Sequence, residues 1–121
     1  MTDYASPRSI LLNDLFVTAL EGGISYWSEA RSYHWSTGGR PDYTNFYAEI
    51  VDFEDGDRVY RIDRSVISRG YKLATTTHAD KIGWSTDTPP FIVTQDCNWD
   101  FDASDADAIV QLGLFGDVVY G

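Results

Sequence analysis

Apolar and polar residues follow two different periods along this chain, and the periods divide it into elements. Leu12, Leu15, Phe16, Ala19 and Leu20 recur every three or four residues, with Asn13, Asp14, Thr18 and Glu21 largely opposite them. That one-face pattern predicts an amphipathic helix over 9–21. Pro7 suits the lead-in to its first turn, and Gly22 is the expected left-handed stop. Gly22-Gly23 therefore reads as a helix cap, not a phosphate loop, because it follows a helix instead of opening one. Residues 24–35 are dominated by Tyr, Trp, Ile and Ser and read as a strand. One face carries Ile24, Tyr26, Ser28, Ala30, Ser32 and His34; the other carries Trp27, Glu29, Arg31, Tyr33 and Trp35. Neither face is cleanly apolar, so period alone leaves open which one is buried.

Residues 36–44 are a loop by composition. In 45–53, Phe46, Ala48 and Ile50 alternate with Tyr47, Glu49, Val51 and Phe53, a second strand. Glu54-Asp55-Gly56-Asp57 is a turn, and Arg58 to Ile62 is the returning strand. Asp63 is placed to cap a helix over 64–74, with Val66, Ile67, Gly70, Leu73 and Ala74 inward and Arg64, Arg69 and Lys72 outward. Residues 75–101 are irregular. Ser104-Asp-Ala-Asp107 resembles a capping box opening a third helix, 104–115, ended by Gly116. Asp105 and Asp107 then sit at the positive end of its dipole. Val118-Val119-Tyr120 either adds a strand or tucks into the core. The sum is one α+β domain over 1–121, an antiparallel meander of about three strands packed by two or three helices.

Charge changes this picture more than composition does. The chain has nineteen acids against nine bases, a net charge of −10, and the two signs are segregated. Residues 42–57 hold six acids and no base; 82–121 hold seven aspartates and no Lys or Arg; six of the nine bases fall in 58–81. Nucleic acid and anionic lipid should be repelled everywhere except along the basic segment, so direct nucleic-acid binding is not expected. The single cysteine, Cys97, excludes an internal disulfide. No basic-then-apolar leader opens the chain, and no apolar run approaches the about 20 residues that cross a bilayer. A cytoplasmic protein is expected.

Candidate chemistry is sparse. Asp96, Asn98, Asp100, Ser104 and Asp107 match ligand positions of a twelve-residue calcium loop. However, Phe101 stands where a sharp turn wants glycine, and Asp107 is short for bidentate reach. His34 and His78 are the only histidines, and Cys97 has no second thiol for a zinc site. No nucleophile elbow is present. No enzyme, metal or cofactor is expected. The aromatic cluster Tyr26, Trp27, Tyr33, Trp35, Tyr43 and Tyr47 is the stronger signal, because Tyr and Trp dominate both cores and recognition surfaces. Tyr26, Trp27, Tyr33 and Trp35, with Arg64 and Arg69, are the candidate binding residues.

The words Ala19-Leu-Glu-Gly-Gly-Ile-Ser-Tyr-Trp27, Ile67-Ser-Arg-Gly70 and Asp105-Ala-Asp-Ala-Ile-Val-Gln-Leu-Gly-Leu-Phe-Gly-Asp-Val-Val-Tyr-Gly121 resemble a family of small uncharacterised proteins encoded by actinobacterial phages and plasmids. The resemblance covers both ends and the middle helix. It implies an accessory protein working in the host cytoplasm, and it brings no catalytic residues. The leading expectation is an acidic, non-enzymatic protein that binds a host protein, of host-takeover or anti-defence type, its acids imitating nucleic acid. The alternative is a small-ligand or nucleotide site floored by Tyr26 and Trp27 and closed by Arg64 or Arg69. An exposed Trp27/Trp35 face would favour a homodimer.

Overall fold

A computed structural model describes residues 6–76 and 101–121. In it α1 (Pro7–Thr18), α2 (Arg64–Ala74) and α3 (Ala103–Phe115) accompany a meander of β1 (Ser28–His34), β4 (Tyr47–Asp52) and β5 (Arg58–Asp63). The sheet order is β1-β4-β5, antiparallel throughout. β2 (Ser36–Thr37) and β3 (Arg40–Pro41) form a small hairpin inside the segment expected to be loop. Its turn is Gly38-Gly39, both at positive φ, the backbone that a two-residue hairpin requires. The α+β meander packed by helices is thus the observed fold.

α1 begins where Ser6 Oγ accepts the Ser9 N–H at 3.1 Å and Pro7 fills the first turn. Its buried stripe is Leu11, Leu12, Leu15 and Phe16, continued by Ala19. The helix does not stop at Gly22. It widens into a π turn over Ala19–Gly23, closed by Ile24 N–H to Ala19 O at 3.0 Å. Gly22 has φ 179°, so it is extended and not left-handed. Gly23 is the position that needs glycine: a Cβ there would lie 2.7 Å from the Ala103 carbonyl oxygen.

The aromatic strand is shorter than its composition suggests. Residues 24–27 form a turn, and Trp27 drops from it into the core, fully buried. Within β1 a bulge breaks the register between Ala30 and Ser32. Ser28 and Ala30 pair with Asp52 and Ile50, whereas Tyr33 pairs with Ala48. The extra residue flips the alternation, so Tyr33 joins Ser28 and Ala30 on the helix side, and Glu29, Ser32 and His34 share the outer side. The two-face division of 24–35 therefore fails at both ends.

Asp63 caps α2 through Val66 N–H at 3.1 Å. α2 and α3 pack backbone to backbone: a Cβ on Gly70 would overlap the Ile109 carbonyl, and one on Gly113 the Val66 carbonyl. α3 starts with a capping box two residues earlier than expected. Asp102 accepts from Asp105 N–H at 2.9 Å and Asp105 from Asp102 N–H at 3.1 Å, instead of Ser104 with Asp107. That frees Asp107 to face inward. α3 is buried continuously from Ala106 to Gly113 and ends at left-handed Gly116, φ 77°. The tail beyond it tucks in: Tyr120 stacks on Trp27 at 5.2 Å. Among the described residues no helix is long and apolar enough to cross a membrane.

Candidate functional site

Among the described residues, an open groove of about 760 Å³ lies where the Tyr47/Asp63 end of the sheet meets α2. Helical spacing builds one wall. Arg64, Ser68 and Lys72 recur every fourth residue and so share a stripe, with Ser65 and Arg69 beside it. Arg61 of β5 and Thr44, Asn45 and Tyr47 at the entry to β4 complete the lining. Arg8 reaches over from α1, donating to Ser68 Oγ at 2.7 Å with its guanidinium 5.6 Å from the Tyr71 ring.

The electrostatics of this groove contrast with the rest of the chain. Its one acid among the described residues is Asp63, already occupied in capping α2 and 3.7 Å from Arg61 Nε. Among the described residues no carboxylate lies within ion-pair distance of Arg8, Arg64, Arg69 or Lys72. Arg64 donates through Nη2 to Ser9 Oγ at 2.9 Å, while its buried Nε has no acceptor. Buried Asn13 on α1 likewise carries an unaccepted Nδ2. Arg69 is committed elsewhere, donating Nε and Nη2 to Gly113 O at 2.9 and 2.7 Å and so capping the C-terminal end of α3. Tyr47 is flanked by its neighbouring strands: His34 of β1 stacks on it at 5.3 Å, and Arg61 of β5 lies 4.4 Å from its centroid.

At the other end of the sheet the polar groups are closed on one another. Asp107 accepts from Trp27 Nε1 at 2.9 Å, Tyr26 OH at 2.6 Å and Gln111 Nε2 at 2.9 Å. Gln111 Oε1 accepts the Val119 and Tyr120 N–H groups at 2.7 and 2.8 Å, holding the tail as a neighbouring strand would. Tyr120 OH donates to buried Asp52 at 2.8 Å. Burial and the Asp107 contact push Tyr26 up to about 12. The hydrogen bond to Asp52, followed by desolvation and the nearby acids, pushes Tyr120 up to about 12.

The six candidate binding residues scatter over these regions. Trp27 and Tyr26 (48% exposed) belong to the clamp around Asp107. Tyr33 packs against Phe16 and donates to Glu21 at 3.0 Å; burial, then Glu21, raises its pKa. Trp35 is 39% exposed, beside the small hairpin. Arg64 and Arg69 line the basic groove, whose lining includes neither Tyr26 nor Trp27. Trp27 and Trp35 thus do not form one exposed face. Sequence reading points to the basic helix 64–74 with Arg58 and Arg61 nearby as the anion-contacting segment, and Arg61 does line the groove; it missed Ser65, Ser68 and Asn45, and for Ser68 the four-residue stripe on α2 was the signal available. Asp52, Asp107 and Gln111 left no usable signal, because the partners that fix their roles lie 68 to 85 positions away or within the tail.

His34, Thr37 and Asp42 form a third polar group. His34 Nε2 lies 3.1 Å from Asp42 Oδ2, and Thr37 Oγ1 donates to the same oxygen at 3.2 Å. Burial works against the Asp42 charge. His34, the Asn45 and Thr44 N–H groups and Thr37 outweigh it and hold the carboxyl below its usual range. These bonds brace the turn into β4, whose residues line the groove. Among the described residues no three His, Cys, Asp or Glu side chains converge as a metal site. His78, Cys97 and positions 96–100 of the calcium-like loop lie outside the described residues. No family model, curated protein or solved structure matches this chain.

Proposed function

We propose that this chain is a non-enzymatic accessory protein that acts by binding, and that the groove along α2 holds an anionic ligand. One observation carries the reading. In a chain with ten more acids than bases, Arg8, Arg64 and Lys72 gather on one face without a carboxylate partner among the described residues. Leaving like charges together costs energy that an arriving anion recovers, and the local field concentrates anions there. Charge-assisted bonds from guanidinium and ammonium groups are the stronger class of hydrogen bond. The resemblance to phage and plasmid proteins supports an accessory role in a host cytoplasm. Titration of the full chain with small anions at low salt tests the groove. Binding that weakens with salt and with Lys72→Gln is expected; binding that ignores Lys72→Gln, Arg64→Gln and salt places the ligand elsewhere.

A second reading rests on the opposite end of the sheet. Phe53 is 46% exposed beside the hairpin tip Glu54-Asp55-Gly56-Asp57. An apolar residue amid acids suits a basic surface on a host protein. In a low-salt pull-down from host lysate, a partner lost with Phe53→Ser but kept with Lys72→Gln would support this reading. The reverse pattern would discard it.

A further inference from the structure

Resting on the groove reading, we infer that the ligand is a small phosphate ester or diphosphate, gripped by its phosphoryl oxygens and not by a base. Three features converge. The first is donor variety. The groove sets the guanidinium groups of Arg61 and Arg64, the Lys72 ammonium, the Ser65 and Ser68 hydroxyls and the Asn45 amide around one space. A phosphoryl group offers three strong acceptor oxygens, whereas a carboxylate offers two.

The second feature is the start of α2. Asp63 takes up the Val66 N–H, and the earlier first-turn N–H groups of a helix have no intrahelical acceptor. The groove reaches this helix start, since Asp63, Arg64 and Ser65 are among its lining residues, and the positive end of a helix favours a compact anion. It stands beside the independent observation that, among the described residues, Arg64 and Lys72 have no carboxylate partner, Arg61 alone of the groove's cations lying near Asp63.

The third feature works against a base. The open aromatic of the groove is Tyr47, since Phe46 is buried in the core. His34 and Arg61 approach the Tyr47 ring from the strands on either side of β4, at 5.3 and 4.4 Å from its centroid, so a purine stacking there competes with both. The acids bordering the groove, Asp42, Glu49 and Asp63, further penalise a long polyanion while tolerating a small one.

Calorimetric titration of the full chain at low ionic strength tests this with four probes: pyrophosphate, ADP, citrate and a single-stranded oligonucleotide. Pyrophosphate and ADP are expected to bind alike and at least about 10-fold tighter than citrate, with Lys72→Gln weakening both about 5-fold. The oligonucleotide is expected to bind no tighter than pyrophosphate, and Asp57→Asn at the far hairpin to change nothing. Citrate matching or exceeding pyrophosphate would overturn the phosphoryl assignment while leaving the groove reading in place. ADP or the oligonucleotide far outbinding pyrophosphate would overturn the compact-phosphate inference. No binding by any probe, or binding untouched by both Lys72→Gln and Arg64→Gln, would overturn the inference and the groove reading together.

Discussion

The clamp around Asp107 and the groove along α2 occupy opposite ends of the same sheet. The clamp meets β4 at Asp52 through Tyr120, and the groove meets it at Tyr47, about 17 Å away along a strand. Both are rich in polar groups, but their accounting differs. Asp107 satisfies three donors, and Gln111 meets two N–H groups and the Tyr120 carbonyl at 3.2 Å. In the groove Lys72 shows no side-chain partner among the described residues, and Arg64 leaves a buried nitrogen unaccepted. Closed networks specify a core, whereas an unspent cation on an accessible face, as at Lys72, is available to a ligand. A conspicuous set of residues is therefore not a site until its partners are counted. The aromatics Tyr26 and Trp27 stood out in the sequence, and they turn out to serve the closed end.

The sharpest way to break the contrast is at Asp107. Asp107→Ala strands the Trp27 indole N–H and the Gln111 amide in a buried site, and should cost about 3–5 kcal/mol in chemical denaturation. A loss below about 1 kcal/mol would mean that the clamp is not closed as described. Gln111→Leu comes next, at about 2 kcal/mol. Its signature is local: amide exchange at Val119 and Tyr120 should lose protection while that of α2 is retained.

At the groove the pattern inverts. Lys72→Gln should leave stability within about 0.5 kcal/mol, since Lys72 is exposed and holds nothing by its side chain, yet it should weaken anion binding. Arg69→Gln is the useful counter-example within the same groove. It uncaps α3 at Gly113 and should cost about 1–2 kcal/mol whether or not an anion binds. Equal behaviour of the two variants would erase the distinction between structural and ligand-facing cations.

The smallest effect is spectroscopic. Tyr26 and Tyr120 sit at about 12 in the folded chain against 10.0 for an unperturbed tyrosine. A raised folded-state pKa means that their contribution is fully present below pH about 10 and is lost as pH rises through about 12. Phenolate absorbance should show both residues titrating late, and Asp107→Asn should bring Tyr26 back toward 10.0 while leaving Tyr120 late. Joint movement of the two would show one coupled network in place of two separate carboxylate contacts.

What the sequence could determine by itself was everything of short range. The stripe on α1, the alternation of Phe46, Ala48 and Ile50, the Asp63 cap and the helix end at Gly116 all depend on neighbours within about one turn, so period and residue type reveal them. The outward placement of Arg64, Arg69 and Lys72 belongs to the same class, and it made the groove's cationic wall readable. The tertiary structure decided the rest. One inserted residue at the β1 bulge reversed which side Tyr33 faces, a change that strict alternation cannot encode. Gly70 and Gly113 acquire their meaning only where two helix backbones touch. Asp107 could have served a helix dipole or a core with equal local logic. Trp27, Tyr26 and Gln111, brought together by burial from distant positions, made it the acceptor at the centre of the clamp.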